Sequence, residues 1–193
     1  MKRLAAALVA ALALSLVPAP PAGAAVRKIK VASCPNGNRT CWPAAFAFTP
    51  DGTEIFWAER FTGRIRRTVL ATGATSTWFR LRGVARDGEQ GILGLAVDPD
   101  WPADGWVYVY FTKRSPLQNR IIRIRSLGGG SFEKDRLLTI PAGSFHNGGM
   151  IHFGPDGMLY AVTGDAGRPR RALRKKNEAG CGRARTDPSA TMR

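Results

Sequence analysis

The middle of the chain is a succession of short apolar or alternating runs broken by turn residues. AFAF (45–48), the turn TPDG and TEIFWAE (53–59) read as strand, turn and strand, because Pro presets φ and Gly accepts positive φ. GRIRRTVL (63–70) alternates apolar and basic positions, which suits a half-buried antiparallel strand. The pattern then recurs. ILGLAVDPDWPADGWVYVYFT (92–112) repeats strand, Asp-Pro-Asp turn and aromatic-rich strand, RIIRIR (120–125) repeats the basic alternation, and MIHFGPDGMLYAVT (150–163) begins a third copy. Pro50, Pro99 and Pro155 mark the repeat at spacings of 49 and 56 residues.

Short antiparallel strands repeating every ~40–50 residues, with hardly any helical periodicity, are the signature of propeller blades. A β-sandwich also alternates, but the spacing here is longer than sandwich hairpins require. One blade cannot bury both of its faces, so blades need neighbours around a ring. The expectation is an all-β chain, a partial β-propeller of about three blades over residues 25–167.

The ends break the pattern. Lys2 and Arg3, the apolar run Leu4–Val17, a Pro/Ala-rich stretch and the small residues Ala22-Gly23-Ala24 form a secretory signal peptide over residues 1–24. That run is shorter than the ~20 residues of a spanning helix, so no stable membrane anchor is expected and the destination is secreted or periplasmic. After Gly167 the alternation stops. Residues 168–193 carry nine Lys/Arg against two acidic residues, in a chain of formal net charge +15. The rest is moderately basic, without a helical basic stripe or an aromatic-interleaved RNA motif, which argues against a nucleic-acid partner. In an oxidising compartment Cys34 and Cys41 (CPNGNRTC) suit a short disulfide loop, with two free thiols as the alternative and Cys181 left over.

Candidate chemistry gathers in HNGGMIHFGPDGMLYAVTGDAG (146–167). A histidine entering an inner strand faces the channel mouth where propellers bind ligands. Gly148 and Gly149 after it leave room for a flat ligand to approach the backbone. Asn-Gly-Gly is also an ordinary turn. Asp165 returns, through a hairpin 150–153/158–163, to the end of the sheet where His146 lies. A carboxylate there accepts the Nδ1–H of the imidazole, fixes its tautomer and leaves Nε2 to take a proton. The plain alternative is an Asx turn in GDAG.

GEQGILGLAVDPDW (88–101), VYVYFT (107–112), NRIIRI (119–124) and HNGGMIHFGPDGMLYAVTGDAG (146–167) together resemble the first half of the soluble glucose/sorbosone dehydrogenases. The resemblance implies a six-bladed ring, of which about three blades are legible here. It also implies pyrroloquinoline quinone and calcium as cofactors, a sugar substrate and an external electron acceptor. By that resemblance His146 is the general base that takes the sugar hydroxyl proton as hydride moves to the quinone, and Asp165 supports it. Glu89, with Gln90 beside it, contacts the quinone, as do Asn147, Gly148 and Gly149. A plain surface glutamate in an Asp-Gly-Glu turn is the competing reading of Glu89. Met150 departs from the basic residue common after HNGG.

The calcium carbonyls and the Lys/Arg partners of the quinone carboxylates cannot be located in the sequence. Residues 168–193 read as a basic, divergent tail outside the family pattern, from a shifted reading frame or as a genuine basic interaction segment. The expectation is a secreted sugar dehydrogenase by lineage, truncated and inactive as it stands. A non-catalytic propeller binding module of the same lineage is the alternative.

Overall fold

A computed structural model of the chain describes Lys30, Cys34, residues 41–169 and the backbone of a strand at 181–184. The expected signal peptide and most of the basic tail lie outside the described residues.

Three antiparallel sheets follow one another along the chain. The first blade is β1 (Pro43–Phe48), β2 (Glu54–Glu59), β3 (Arg64–Val69) and β4 (Thr75–Arg80). The second is β5 (Ile92–Val97), β6 (Val107–Lys113), β7 (Gln118–Gly128) and β8 (Ser131–Pro141). The third holds β9 (Gly148–Phe153), β10 (Leu159–Thr163) and β11 (Cys181–Ala184), in the order β11-β10-β9. Each strand pairs with its sequence neighbour, and β1 touches β5 as β5 touches β9, so the first strand of each blade lies toward a common axis. This is the partial propeller the repeat predicts, and the ring is not closed by these three sheets.

The second strand of each full blade shows why a single blade is not enough. VYVYF in β6 is buried along its length, but its alternate residues serve different interfaces. Val107, Val109 and Phe111 join Phe56, Ile65 and Ile124 between blades one and two, whereas Tyr108 and Tyr110 join Ile151 and Leu159 between blades two and three. Burying such a side chain is worth roughly 1.5–3 kcal/mol, and half of that gain depends on each neighbouring blade.

Two glycines set how closely the inner strands approach. A Cβ on Gly94 of β5 would lie 2.0 Å from the Gly149 carbonyl oxygen, and one on Gly149 would lie 2.3 Å from Leu93 Cβ. Gly149 also has φ 126°, outside the range of most L-residues. The sequence reading assigns the glycine pair to ligand access; at Gly149 the structure uses it for blade-to-blade contact.

β3 is half-buried as predicted, with Ile65 and Thr68 inside, but a register shift between Ile65 and Arg66 breaks the strict alternation, and its arginines pair with carboxylates of β2. Arg66 and Arg64 lie 2.7 and 3.5 Å from the buried Glu59, and Arg67 pairs with Glu54. Cys34 and Cys41 are joined as a disulfide with Cα atoms 5.7 Å apart, against Ile55 and Trp57. Past Gly167, where the sequence alternation stops, the backbone of Cys181–Ala184 pairs with Val162–Leu159 and extends the third sheet. Apolar periodicity is a poor guide there, because an outer strand can be held by main-chain hydrogen bonds alone.

Candidate active site

The ends of the first and second strands fix where the site residues gather. Inner strands begin, and second strands end, at the same end of each blade, so the links β4–β5 and β8–β9 and the segment after β10 converge there. These links carry Glu89 and Gln90, then His146 and Asn147, then Asp165. Thr163 pairs with Gly148, which brings Asp165 back beside His146.

His146 Nδ1 lies 3.1 Å from Asp165 Oδ1. The same oxygen accepts the Gly167 amide at 2.9 Å, so Asp165 is both the partner of the imidazole and the head of an Asx turn. Its side chain is 17% exposed and that of His146 is 63% exposed. A carboxylate at Nδ1 places the neutral ring's proton there and leaves Nε2 as acceptor. Nε2 makes no hydrogen bond to a described residue.

The backbone of His146 is held on both sides. Its φ is 55°, a left-handed value uncommon for a residue with a side chain. Its amide donates to Glu89 Oε2 at 2.6 Å and its carbonyl accepts the Ala166 amide at 3.0 Å. Glu89 therefore has one carboxylate oxygen on the histidine backbone and Oε1 without a described partner. Resemblance assigns it to the quinone; in this structure it first positions His146.

Gln90 and Asn147 are buried and turned inward. Gln90 accepts the Asp87 amide at 3.0 Å and donates to the Gly143 carbonyl at 3.2 Å. Asn147 Oδ1 accepts the Gly143 amide at 3.1 Å and Asn119 Nδ2 at 3.0 Å, while its Nδ2 returns to the Gly143 carbonyl at 2.9 Å. Both side chains hydrogen-bond within the protein, to the β8–β9 link and to neighbouring residues. Buried amides must be satisfied, and here the β8–β9 link satisfies them. A Cβ on Gly148, where φ is 72°, would lie 2.5 Å from the Val162 carbonyl oxygen, so that glycine too answers to packing.

Residues the sequence reading missed complete the support. The Tyr110 hydroxyl donates to the Asn147 carbonyl at 2.9 Å, and the Thr112 hydroxyl donates to Asn119 Oδ1 at 2.8 Å. Burial pushes the Tyr110 phenol up to about 12, so it stays a donor throughout the physiological range. Asn119 and Thr112 are fully buried polar residues, and nothing in the local sequence pattern marks them. From the first blade Arg60 donates to the Gln90 and Gly88 carbonyls at 2.9 and 3.0 Å, bracing the turn that carries Glu89.

Pyrroloquinoline quinone is a flat tricarboxylate that needs a polar edge contact and a base nearby. The open Nε2 of His146 and the open Oε1 of Glu89, at one blade end, fit that requirement. The acidic group Asp98, Asp100 and Asp104, whose oxygens lie within 4.8 Å of one another, sits after β5, at the opposite end of the blade from His146.

The fold and site define a β-propeller with a histidine–carboxylate pair at the mouth-side end of an inner strand. The family model for glucose/sorbosone dehydrogenases matches residues 41–186. The chain belongs to this family, and the match runs past Gly167 through β11. Quinoprotein glucose dehydrogenase B of Acinetobacter calcoaceticus is 32% identical over 143 residues, covering 67% of this chain and 30% of that protein. Among solved structures, the PQQ-bound aldose sugar dehydrogenase of Streptomyces coelicolor superposes with TM-score 0.66 at 34% identity, over 78% of this chain and 47% of that one. A glucose dehydrogenase-type oxidoreductase of Thermus thermophilus gives 0.60 at 43% identity, over 68% and 39%. The chain thus spans less than half the length of these relatives. Among the described residues no helix is long and apolar enough to cross a membrane.

Proposed function

We propose that residues 41–167 are the base-bearing part of a secreted or periplasmic, quinone-dependent aldose dehydrogenase. The observation that carries this reading is the His146–Asp165 pair, with Nε2 open and Glu89 holding the histidine amide. Oxidising a sugar C–OH by hydride loss requires a group to take the hydroxyl proton, and an imidazole near neutrality does so with little driving-force penalty. Pyrroloquinoline quinone, when bound, supplies the electrophile that accepts the hydride. His146 Nε2 receives the proton. Asp165 holds the ring orientation and stabilises the imidazolium formed, and Glu89 fixes the backbone from which the ring projects while its free oxygen orients the cofactor. Calcium and an external electron acceptor belong to this proposal through the family, and processing at residues 22–24 through the basic start, apolar run and small-residue site of the N-terminal sequence. No described residue near His146 offers a calcium cage, so a polypeptide of these 193 residues alone is proposed to be inactive.

The test is a graft. Residues 41–167 replace the matching segment of the Streptomyces coelicolor enzyme, and dye reduction by aldoses is followed after reconstitution with the quinone and calcium. Turnover by the graft, its loss in His146→Ala and no turnover by the 193-residue polypeptide are expected. An active His146→Ala graft would sink the assignment of the base, and quinone-dependent turnover by the short polypeptide would sink the proposed inactivity.

A further inference from the structure

Strand β8 reads Glu133-Lys134-Asp135-Arg136, and the two-residue period sorts these charges onto opposite faces. On one face both acids are paired: Asp135 accepts from Arg123 at 2.9 Å and Glu133 from Arg125 at 2.6 Å. On the other face Phe132 packs against Trp78 and Phe79 of the first blade, with ring centroids 5.4 and 5.0 Å apart. Lys134 and Arg136 continue that face toward the end of the blade where His146 lies. They look across the interblade cleft with Arg120 of β7 and Lys113 of β6, and Arg80 and Arg82 stand opposite on the first blade. The six cations and the apolar residues between them enclose a space of about 480 Å³.

No carboxylate lines this cleft, and among the described residues none of the six cations forms an ion pair. Fourteen Asp and Glu occur in the whole chain, and all but Glu178 and Asp187 lie among the described residues. The acids that could have neutralised the cleft are committed elsewhere: Glu59 to Arg64 and Arg66, Glu54 to Arg67, Glu133 and Asp135 to the far face of β8. Two blades therefore meet with like charges facing each other over a gap. Such an arrangement repels unless a counter-ion sits in it, and guanidinium groups bind oxyanions in bidentate fashion.

We propose that the cleft between the first and second blades is a binding site for a small multivalent oxyanion of the phosphate or polycarboxylate class. The position separates it from the quinone pocket of the proposed function, since it opens between blades and runs outward to β4 and β8. The inference therefore does not depend on the dehydrogenase reading. A charge-rich face that is merely solvated would not set apolar walls (Phe79, Phe111, Ile122) beneath cations converging from two blades.

The experiment uses the full chain and two probes, inorganic pyrophosphate and citrate, titrated calorimetrically in a low-salt chloride buffer. Binding of at least one is expected, with a matching rise in the thermal unfolding midpoint. Arg136→Glu should weaken it by about ten-fold or more, and Arg136→Gln by a smaller factor. Lys30→Glu makes the same charge change at an exposed residue outside the cleft and should shift affinity less than about two-fold. Circular dichroism checks that each variant folds, and the midpoint rise should vanish in Arg136→Glu but persist in Lys30→Glu. Equal weakening by both charge reversals would reduce the effect to the diffuse field of a basic protein and overturn the site. Binding of neither probe, or of a long polyanion alone, overturns it as well.

Discussion

The amide of His146 donates to Glu89 Oε2 at 2.6 Å, so the residue proposed as base is held by a carboxylate from the preceding blade. That bond crosses from the second blade's leading link to the third's and pins a backbone with φ 55°. Positive φ at a residue with a side chain is costly, and it persists here because amide and carbonyl are both engaged. Glu89→Ala in the grafted enzyme is expected to lower kcat by roughly ten-fold or more, since misplacing a catalytic group by about 1 Å can cost on the order of 10²-fold. Glu89→Gln, which still accepts the amide, should recover most of the loss. Equal damage in the two variants would mean that the charge of Glu89, rather than its hold on the backbone, is what matters.

Asp165→Asn keeps the size of the side chain and removes its charge. Loss of the carboxylate removes the acceptor that fixes the Nδ1 tautomer and ring orientation of His146, so the rate should drop by about 10- to 100-fold, less than the ~10²–10⁴-fold a general base contributes. Steady-state kinetics of the graft check it: the loss should fall on kcat rather than on KM.

Gly149→Ala is expected to destabilise the fold by about 3 kcal/mol or more. The added methyl meets Leu93 Cβ at 2.3 Å, and the φ of 126° is closed to alanine. Because both walls belong to inner strands, the cost cannot be relieved by a rotamer change. Denaturant unfolding measures it, and a loss under about 1 kcal/mol would show that the inner strands slide freely.

Acid should weaken the first blade through Glu59. Burial pushes its carboxyl up, but the Thr62 hydroxyl and the Arg66 and Arg64 guanidiniums outweigh that and hold it below its ordinary value of 4.5. A depressed carboxyl contributes stability that is complete above its unfolded pKa and lost as pH falls through the folded one. The Glu59 contribution should therefore be constant above about pH 5 and decline below it. In Glu59→Gln that acid-dependent part of the unfolding midpoint should disappear.

Asp104 should behave in the opposite sense. Burial, then the neighbouring charges of Asp98 and Asp100, raise its carboxyl above the ordinary 3.8. A raised carboxyl favours the folded state at low pH and opposes it once ionised, so at pH 7 Asp104 is a net liability. Asp104→Asn should raise the unfolding midpoint at pH 7 and make little difference at pH 3. A lower midpoint at pH 7 would mean that the ionised carboxylate stabilises the fold instead.

Much was decided by local chemistry and was legible along the chain. Mixed apolar and basic positions in RIRRTV and RIIRIR, Pro-Asp-Gly turns and the recurrence near fifty residues defined the strands and the blade class, because pleating and turn φ depend only on near neighbours, although register shifts at Ile65/Arg66 and Ile121/Ile122 break the strict period within both strands. The hairpin register likewise placed Asp165 beside His146 without any knowledge of the other blades. What the sequence could not determine are the relationships made between blades. That Gln90 and Asn147 turn inward, that Gly149 serves contact with β5 and that Glu89 holds the His146 amide all depend on which link lies over which. These contacts join residues distant in sequence, 57 apart for Glu89 and His146, and no local periodicity encodes them. The strand at Cys181–Ala184 shows the same limit: a backbone paired at a sheet edge leaves little trace in the side chains that form it.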